Sequence, residues 1–466
     1  MRAWILAPVL AIFVFSLGAY AQNGGCSSTG QSPYDYSQAL CMAMLFYEAQ
    51  RSGYLPADNR VDWRGDSATG DGSDVGLDLE GGYYDAGDFV KFGFPLAYSV
   101  AVLAWGLDEY SGGYRTAGQT AYGRATIKRA TDYLLKCHAG SKVLYGQCGD
   151  GDIDHEYWGR PEEMTMSRPS YKIDEQNPGA DLAAETAAGL AAASIVFQGT
   201  DASYANQLLD FAKEMLELAD EHQTSYVNSI PAGDFYNSWS GFQDELGWGA
   251  CWLYKATGEQ SYYNQAEGYY NSFNMANDQE VNFYWDDKTA GVYALMTEFG
   301  QDSKYNDRFA QFLDSMRTSQ RFTNAGLIFI NDWGSIRHAL GLAFIAIRGA
   351  DLGINPATNR NFAQTQIDYA VGSQGHSFVV GFGTNPPTHA HHRAASCEDP
   401  PAPCSYDDMN KVDPNPHVIY GGLVGGPTDT NDNWQDNRSN WQMTEVGLDY
   451  NAVFSSTLAA IITLNY

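Results

Sequence analysis

Two aspartates three residues apart, Asp85 and Asp88, lie in the stretch Gly81-Gly82-Tyr83-Tyr84-Asp85-Ala86-Gly87-Asp88-Phe89-Val90-Lys91-Phe92-Gly93-Phe94-Pro95. If both fall on one side of a turn, their carboxylates can hold a single water, as a general base for hydrolysis requires. Gly87 has no Cβ, so the chain can turn sharply there and a ligand can approach closely. An acidic surface turn is the competing reading, since Asp and Gly are ordinary turn formers. The aromatic residues Tyr83, Tyr84, Phe89, Phe92 and Phe94 weigh against it, because a solvated turn has no use for them.

Four further loop segments concentrate chemistry. In 149–163, Asp150, Asp152 and Asp154 occupy EF-hand positions one, three and five. His155 stands where that loop needs Gly, however, and Pro161 where it needs Glu, so an EF-hand is excluded. His155, Tyr157, Trp158 and Arg160 read instead as a sugar-contacting wall, with a structural loop carrying its own salt bridges as the alternative. In Ser240-Gly241-Phe242-Gln243-Asp244-Glu245, hard oxygens could ligate calcium; the same acids could cap the helix that follows. Among His389, His391 and His392, a transition-metal site through His389 and His391 lacks any nearby Cys. A binding loop whose His and Arg393 donate to hydroxyls fits better. The last segment, Asp432 to Glu445, places Glu445 in the first turn of a final helix, beside Trp441. A general acid there needs a dry site or a neighbouring negative charge to hold its proton. The helix N-terminus favours the anion, and a plain capping glutamate is the alternative.

Helical periodicity supplies the frame that must position these loops. Leu182, Ala183, Thr186, Ala187, Leu190, Ala191, Ser194 and Ile195 hold one apolar stripe. Tyr204, Leu208, Phe211, Met215 and Leu218 form another, and Tyr305, Phe309, Phe312, Leu313 and Met316 a third. Further helices are expected at 36–51, 95–110, 117–137, 243–257, 260–273, 288–299, 335–350, 359–371 and 446–464. About a dozen helices result, several apolar on more than one face and so buried on both sides. Long loops between them are where function belongs.

Residues 1–21 read as a secretory signal peptide, with Arg2, the apolar run Trp4 to Leu17, and Ala19-Tyr20-Ala21 as cleavage pattern. Residues 22–33 are a short lead-in, and 34–466 a single domain without linker or composition break. No later stretch looks apolar enough to span a bilayer, so the expected product is secreted, extracellular and soluble. Against 27 Lys and Arg stand 56 Asp and Glu, a formal charge of −29. Nucleic acid and anionic membranes repel such a chain, which leaves neutral or cationic substrates. Aromatics reach 14%, and flat amphipathic rings suit a neutral sugar. Of the seven cysteines, Cys397 and Cys404 bracket a Pro-rich loop and are the expected disulfide. An odd total leaves a free thiol, expected at Cys251, and there is no C-x-x-C to suggest zinc or redox chemistry.

Taken together, Asp85-Ala86-Gly87-Asp88, Tyr157-Trp158-Gly159-Arg160-Pro161-Glu162, the Pro386 to Arg393 segment, and Asp436…Trp441…Glu445…Asn451 resemble glycoside hydrolase family 9. The resemblance covers essentially the whole mature chain, and is strongest to animal-type secreted endo-β-1,4-glucanases that consist of the catalytic domain alone. It implies an all-α (α/α)6 barrel and an inverting mechanism. Asp88 would be the general base, Asp85 its partner in holding the water, and Glu445 the general acid. His391 and Arg393 would grip the sugar at the scissile bond, while His155, Trp158 and Trp333 line neighbouring subsites. A structural calcium would bind through Ser240, Gly241, Asp244, Glu245 and Asp286 rather than Asp287; no organic cofactor is expected. The partner would be a β-1,4-glucan, met by a monomer that engages neither nucleic acid nor membrane.

Three positions depart from the family pattern. Ala390 replaces Pro, which would loosen the loop carrying His391. Gly447 replaces a small residue, and within a helix glycine costs up to about 1 kcal/mol. Phe89 adjoins the base. The one glycosylation sequon, at Asn437, lies inside a catalytic signature and is expected to be unmodified. A catalytically inert glucan binder, or an enzyme acting on another β-1,4-glycan such as chitosan, are the alternative functions.

Overall fold

The computed structural model describes residues 24–31, 33–278 and 281–464; the expected signal peptide over 1–21 lies outside the described residues. Twelve long helices carry the chain: α1 (Tyr36–Ala49), α2 (Gly93–Glu109), α3 (Thr120–Cys137), α4 (Ala180–Gln198), α5 (Ala202–Glu221) and α6 (Gln243–Thr257) in the first half. The second half holds α7 (Gln260–Ser272), α8 (Thr289–Phe299), α9 (Ser303–Ser319), α10 (Ser335–Asp351), α11 (Pro356–Val371) and α12 (Leu448–Leu464). The even-numbered helices touch in a closed ring: α2 meets α4, α4 meets α6, α6 meets α8, α8 meets α10, α10 meets α12, and α12 returns to α2. Each odd-numbered helix packs outside that ring, against one or two of its members. This is the (α/α)6 barrel that the motifs imply.

Hydropathy separates the two layers in the pair α4 and α5. The inner helix α4 buries residues on every face, including Ala183, Ala187, Leu190 and Phe197. By length and apolarity it could cross a membrane, contrary to the expectation from sequence, but its apolar surface is spent inside the ring. The outer helix α5 buries one stripe, Ala205, Leu208, Phe211, Ala212, Met215 and Leu218, as an amphipathic helix must. Local caps set the boundaries. Asp201 accepts from Tyr204 N at the start of α5, and Gly258 ends α6 in the left-handed region at φ 68°.

Alternation of inner and outer helices gives the six inner ones a common direction. The loops ahead of their N-termini therefore gather at one end of the barrel: residues 85–88 before α2, 149–179 before α4, 238–242 before α6, 285–287 before α8, 331–334 before α10 and 388–447 before α12. A small antiparallel sheet ties two of them together. Its strand β1 (Lys91–Phe92) pairs with β3 (Val143–Cys148), Lys91 opposite Cys148. β3 also pairs with β2 (His138–Gly140) and β4 (Ser170–Ile173). The aspartate turn thus leaves into β1 beside the loop carrying His155.

The lead-in is not a loose tether. A disulfide joins Cys26 to Cys41 in α1, and Asp35, the α1 N-cap, accepts from Ser28 Oγ at 2.9 Å and Gly30 N at 3.1 Å. Cys397 and Cys404 form the expected disulfide. Cys251 is free and buried, as are Cys137 and Cys148.

Candidate active site

The aspartate turn is buried rather than solvated. Asp85 and Asp88 are 2% and 7% exposed, and Tyr83, Tyr84, Phe89, Phe92 and Phe94 are buried as well. Asp88 accepts from Ala86 N (3.1 Å) through one carboxylate oxygen and from Val90 N (3.0 Å) through the other. Asp85 accepts from the Tyr236 hydroxyl through one oxygen; the other is buried and has no partner. That oxygen, beside Asp88, is left as an unsatisfied acceptor. Burial and the Asp88 charge push the Asp85 carboxyl well above the usual range, against the Tyr236 hydrogen bond that pulls it down. Gly87 serves a different purpose from the expected one. A Cβ there would lie 2.3 Å from the carbonyl oxygen of His391, so glycine admits neighbouring main chain, not a ligand.

Glu445 also departs from expectation. It does not sit in the first turn of α12 but three residues before it, in extended backbone (φ −66°, ψ 148°) after the short helix Trp441–Thr444. No helix N-terminus therefore stabilises its anion. Burial and the nearby Asp88 charge push its carboxyl up to about 8, partly opposed by a hydrogen bond from the Trp333 side chain and by Arg393. Gly447 accordingly lies outside the helix, and its helix-interior cost does not arise.

One short segment joins the two acid groups. His391 N–H donates to Thr444 O (2.9 Å), and Arg393 N–H donates to Gly87 O (3.1 Å). His391 also forms a bridge with Glu445. Residues 391–393 thus run between the aspartate turn and the glutamate and hold both by main chain. From α12, Leu448 N–H donates to Asp85 O (3.0 Å), closing the frame.

The three histidines face three ways, which removes the metal reading of this loop. His389 engages Asp436 through Nδ1 (3.1 Å) and Val412 O through Nε2 (3.0 Å). His391 Nδ1 lies 2.7 Å from Arg438 O, and burial lowers its pKa to about 4, leaving it neutral. His392 turns inward to Gln50 (2.8 Å). The loop is not loosened at Ala390, which is buried and whose carbonyl accepts from Asn415 Nδ2 (3.0 Å).

Several expected sugar contacts sit deeper than foreseen. Arg393 is buried, and its guanidinium pairs with Asp154 and donates to the Asp154 carbonyl (2.9 Å), so it supports the site instead of reaching for hydroxyls. Trp158 is only 4% exposed. Its indole donates to Ser396 Oγ (2.9 Å) and its ring backs His391 edge-on at 5.3 Å. Arg160 is held by Glu163 (2.7 Å), as the salt-bridged loop reading has it. His155 and Trp333 are exposed at the same end of the barrel. Sequence reasoning missed the other open rings, Trp239, Tyr406 and Trp441, which are 67%, 40% and 48% exposed. It also missed Tyr236 and Asp154, because nothing local distinguishes a tyrosine that reaches a distant carboxylate from one in the core.

At the same end of the barrel lies a second acidic cluster. Ser240 Oγ donates to Asp286 O (2.6 Å) and lies 3.3 Å from both Asp286 Oδ1 and Asp244 Oδ1. Asp287 is occupied elsewhere, accepting from Asn282 N (2.7 Å) and Thr289 N (2.8 Å). Glu245 turns away to Lys288 (2.5 Å), which also neighbours Glu185 (3.4 Å). Beyond that ion pair neither Glu245 oxygen has a hydrogen bond. One buried amine thus serves a crowd of carboxylates, and burial pushes Glu245, Asp286 and Asp287 above the usual range. The hard oxygens of Ser240, Asp244 and Asp286 suit a calcium-sized cation; the Gly241 carbonyl accepts from Ser238 Oγ, and Glu245, as placed, does not join them. Among the described residues, three metal-ligating groups come within 4.8 Å of one another at Glu175, Glu221 and His222, away from this cluster.

A model of glycosyl hydrolase family 9 matches residues 36–458. The chain is 43% identical to Endoglucanase B of Cellulomonas fimi over 97% of its own length, while spanning 44% of that longer protein. It is 41% identical to Endoglucanase 13 of Arabidopsis thaliana, covering 92% of this chain and 93% of that one. Its structure superposes on an endoglucanase from the termite Nasutitermes takasagoensis with a TM-score of 0.91 at 50% identity, covering 93% and 100% of the two chains. It also superposes on endoglucanase CelQ from Clostridium thermocellum complexed with cellotetraose, with a TM-score of 0.82 at 36% identity, covering 92% and 71%.

Proposed function

The chain belongs to glycosyl hydrolase family 9, and from that premise we propose that it hydrolyses internal β-1,4-glucosidic bonds of cellulose or related β-glucans with inversion. The observation that carries the roles is the 391–393 segment, which holds a buried aspartate pair on one side and a proton-retaining glutamate on the other. A water on the unpartnered oxygen of Asp85 loses its proton to Asp88 as it attacks the anomeric carbon. Glu445 gives its proton to the departing glycosidic oxygen. Inverting enzymes keep acid and base about 6.5–9.5 Å apart to admit that water. Tyr236 orients Asp85, while His155, His391 and the rings of Trp239, Trp333, Tyr406 and Trp441 contact the glucan.

Time-resolved proton NMR of cellohexaose digestion tests this reading. The α-anomer should appear first, and the oligomer ladder should show internal cleavage. A β-anomer first excludes inversion, and cellobiose alone from the outset excludes endo action.

Calcium would be held by Ser240, Gly241, Asp244 and Asp286, with Glu245 balancing Lys288 behind them; it would neutralise charge and take no part in the reaction. The protein is read as a secreted monomer, one catalytic domain over 34–466 behind a signal over 1–21, without an organic cofactor. Asn437 is exposed one residue from the carbonyl that holds His391. A glycan there would crowd the groove, so the intact mass of secreted protein should show none.

A further inference from the structure

We propose that Gln50 and His392 form a buried hydrogen-bond relay that positions the Asp85–Asp88 turn for catalysis, a role that rests on the hydrolytic reading above. Neither residue reaches the groove; they are 1% and 2% exposed.

The direction of the relay follows from its first contact. Ala395 N–H donates to His392 Nδ1 (3.0 Å), so that nitrogen is an acceptor and the ring proton sits on Nε2. Nε2–H then donates to Gln50 Oε1 (2.8 Å). With its oxygen so engaged, the Gln50 amide must present its NH2 to the other side. There it donates to Ala86 O (2.6 Å) and Tyr84 O (3.4 Å). Those two carbonyls flank Asp85, and Ala86 N–H is the donor that holds Asp88. A protonated His392 would set an N–H against Ala395 N–H. Burial, followed by the charges of Arg64 and Arg393, lowers its pKa to about 3 and keeps it neutral.

The relay starts from the segment that also holds the acid. His391 is tied to Thr444, and Arg393 to Gly87, so His392 lies between the fastenings of acid and base. Gln50 comes from the end of α1, and its own carbonyl accepts from Tyr84 N (2.8 Å). The first outer helix is thereby linked to the orientation of the aspartates. Gln50 and His392 are positioning residues, since they touch neither substrate nor water in the groove.

Gln50→Leu and His392→Leu should each lower kcat on cellohexaose roughly 10–100-fold, the cost of a misplaced reacting group, with KM within about twofold. The double variant should be no slower than the slower single variant, because both break one chain. His392→Gln, whose amide can donate to Gln50 and accept from Ala395, should recover most of kcat. Gln50→Glu keeps the acceptor for His392 but sets oxygen against Ala86 O. It should show the same kcat loss and covers the case in which the leucine variants fail to fold. Thermal midpoints and cellotetraose affinity of each variant separate misplacement from unfolding. Folded variants with kcat within twofold of the parent overturn the relay, as do single losses that multiply in the double variant. Activity loss matched by loss of folded protein overturns it too. A parent chain that releases no sugar from cellohexaose overturns the functional reading, and the relay with it.

Discussion

Two clusters of buried carboxylates lie at the same end of the barrel, yet they handle charge in opposite ways. Around Ser240, the carboxylates of Glu185 and Glu245 close on Lys288, and the oxygens left over turn toward one another as a cation's ligands would. Around Asp88, the nearby cation Arg393 is already bound by Asp154. Negative charge there is met by a proton instead, and Glu445 holds it up to about 8. The same residue type makes a structural joint where a cation is built in, and keeps a proton where the cation is tied elsewhere.

Replacing the proton donor tests the contrast most severely. Glu445→Gln should lower kcat by about 10²–10⁴-fold, the usual worth of a general acid, while cellotetraose affinity by calorimetry stays near that of the parent. Unchanged hydrolysis would remove Glu445 from its role. Retained affinity in a parent that never hydrolyses carboxymethylcellulose would favour the glucan binder.

Substituting Gly87 strikes the spacing instead of the chemistry. In Gly87→Ala the new methyl meets His391 O at 2.3 Å. Overpacking of this sort costs about 1–3 kcal/mol, so both the thermal midpoint and kcat should fall. A stable, fully active Gly87→Ala would show that the close approach of 391–393 does not set the geometry.

The proton on Glu445 also predicts a pH limb. A raised carboxyl pKa means the acid is protonated below about 8 and ionised above it. A catalyst that must donate that proton loses activity as pH rises through that value. The alkaline limb of kcat/KM should therefore fall near pH 8, and it should be lost in a residual-activity profile of Glu445→Gln. A limb near pH 5 would mean that Asp88 and burial do not act on Glu445 as placed.

Chelation probes the other cluster and should have the smallest effect on chemistry. Calcium that binds only the folded chain stabilises it by about 2.7 kcal/mol at a hundredfold excess over Kd. EGTA should lower the thermal midpoint by a few degrees, with kcat on cellohexaose at low temperature largely kept. An unchanged midpoint would leave Lys288 as the cluster's sole counter-charge.

Much of the frame was legible because helix formation is local. All twelve long helices fall within a few residues of the stretches expected from the sequence, from 36–49 to 448–464. Asp85, Asp88, Glu445 and the His391 segment were legible as loop motifs. The error over Glu445 was local as well, since an apolar run marks a helix better than its first turn. Arg393 and Trp158 were misjudged in depth, because exposure depends on partners such as Asp154 and Ser396, more than two hundred residues away.

By itself, then, the sequence determined where helices run, which of their faces are apolar, and which loops carry acids and rings. Such properties rest on side-chain chemistry and near neighbours along the chain. Only the tertiary structure decided which carboxylate keeps a proton, which one meets a cation, and which ring remains open to a sugar. Burial and Coulomb interactions act through space, and their strength is set by groups that meet only when the ring of helices closes.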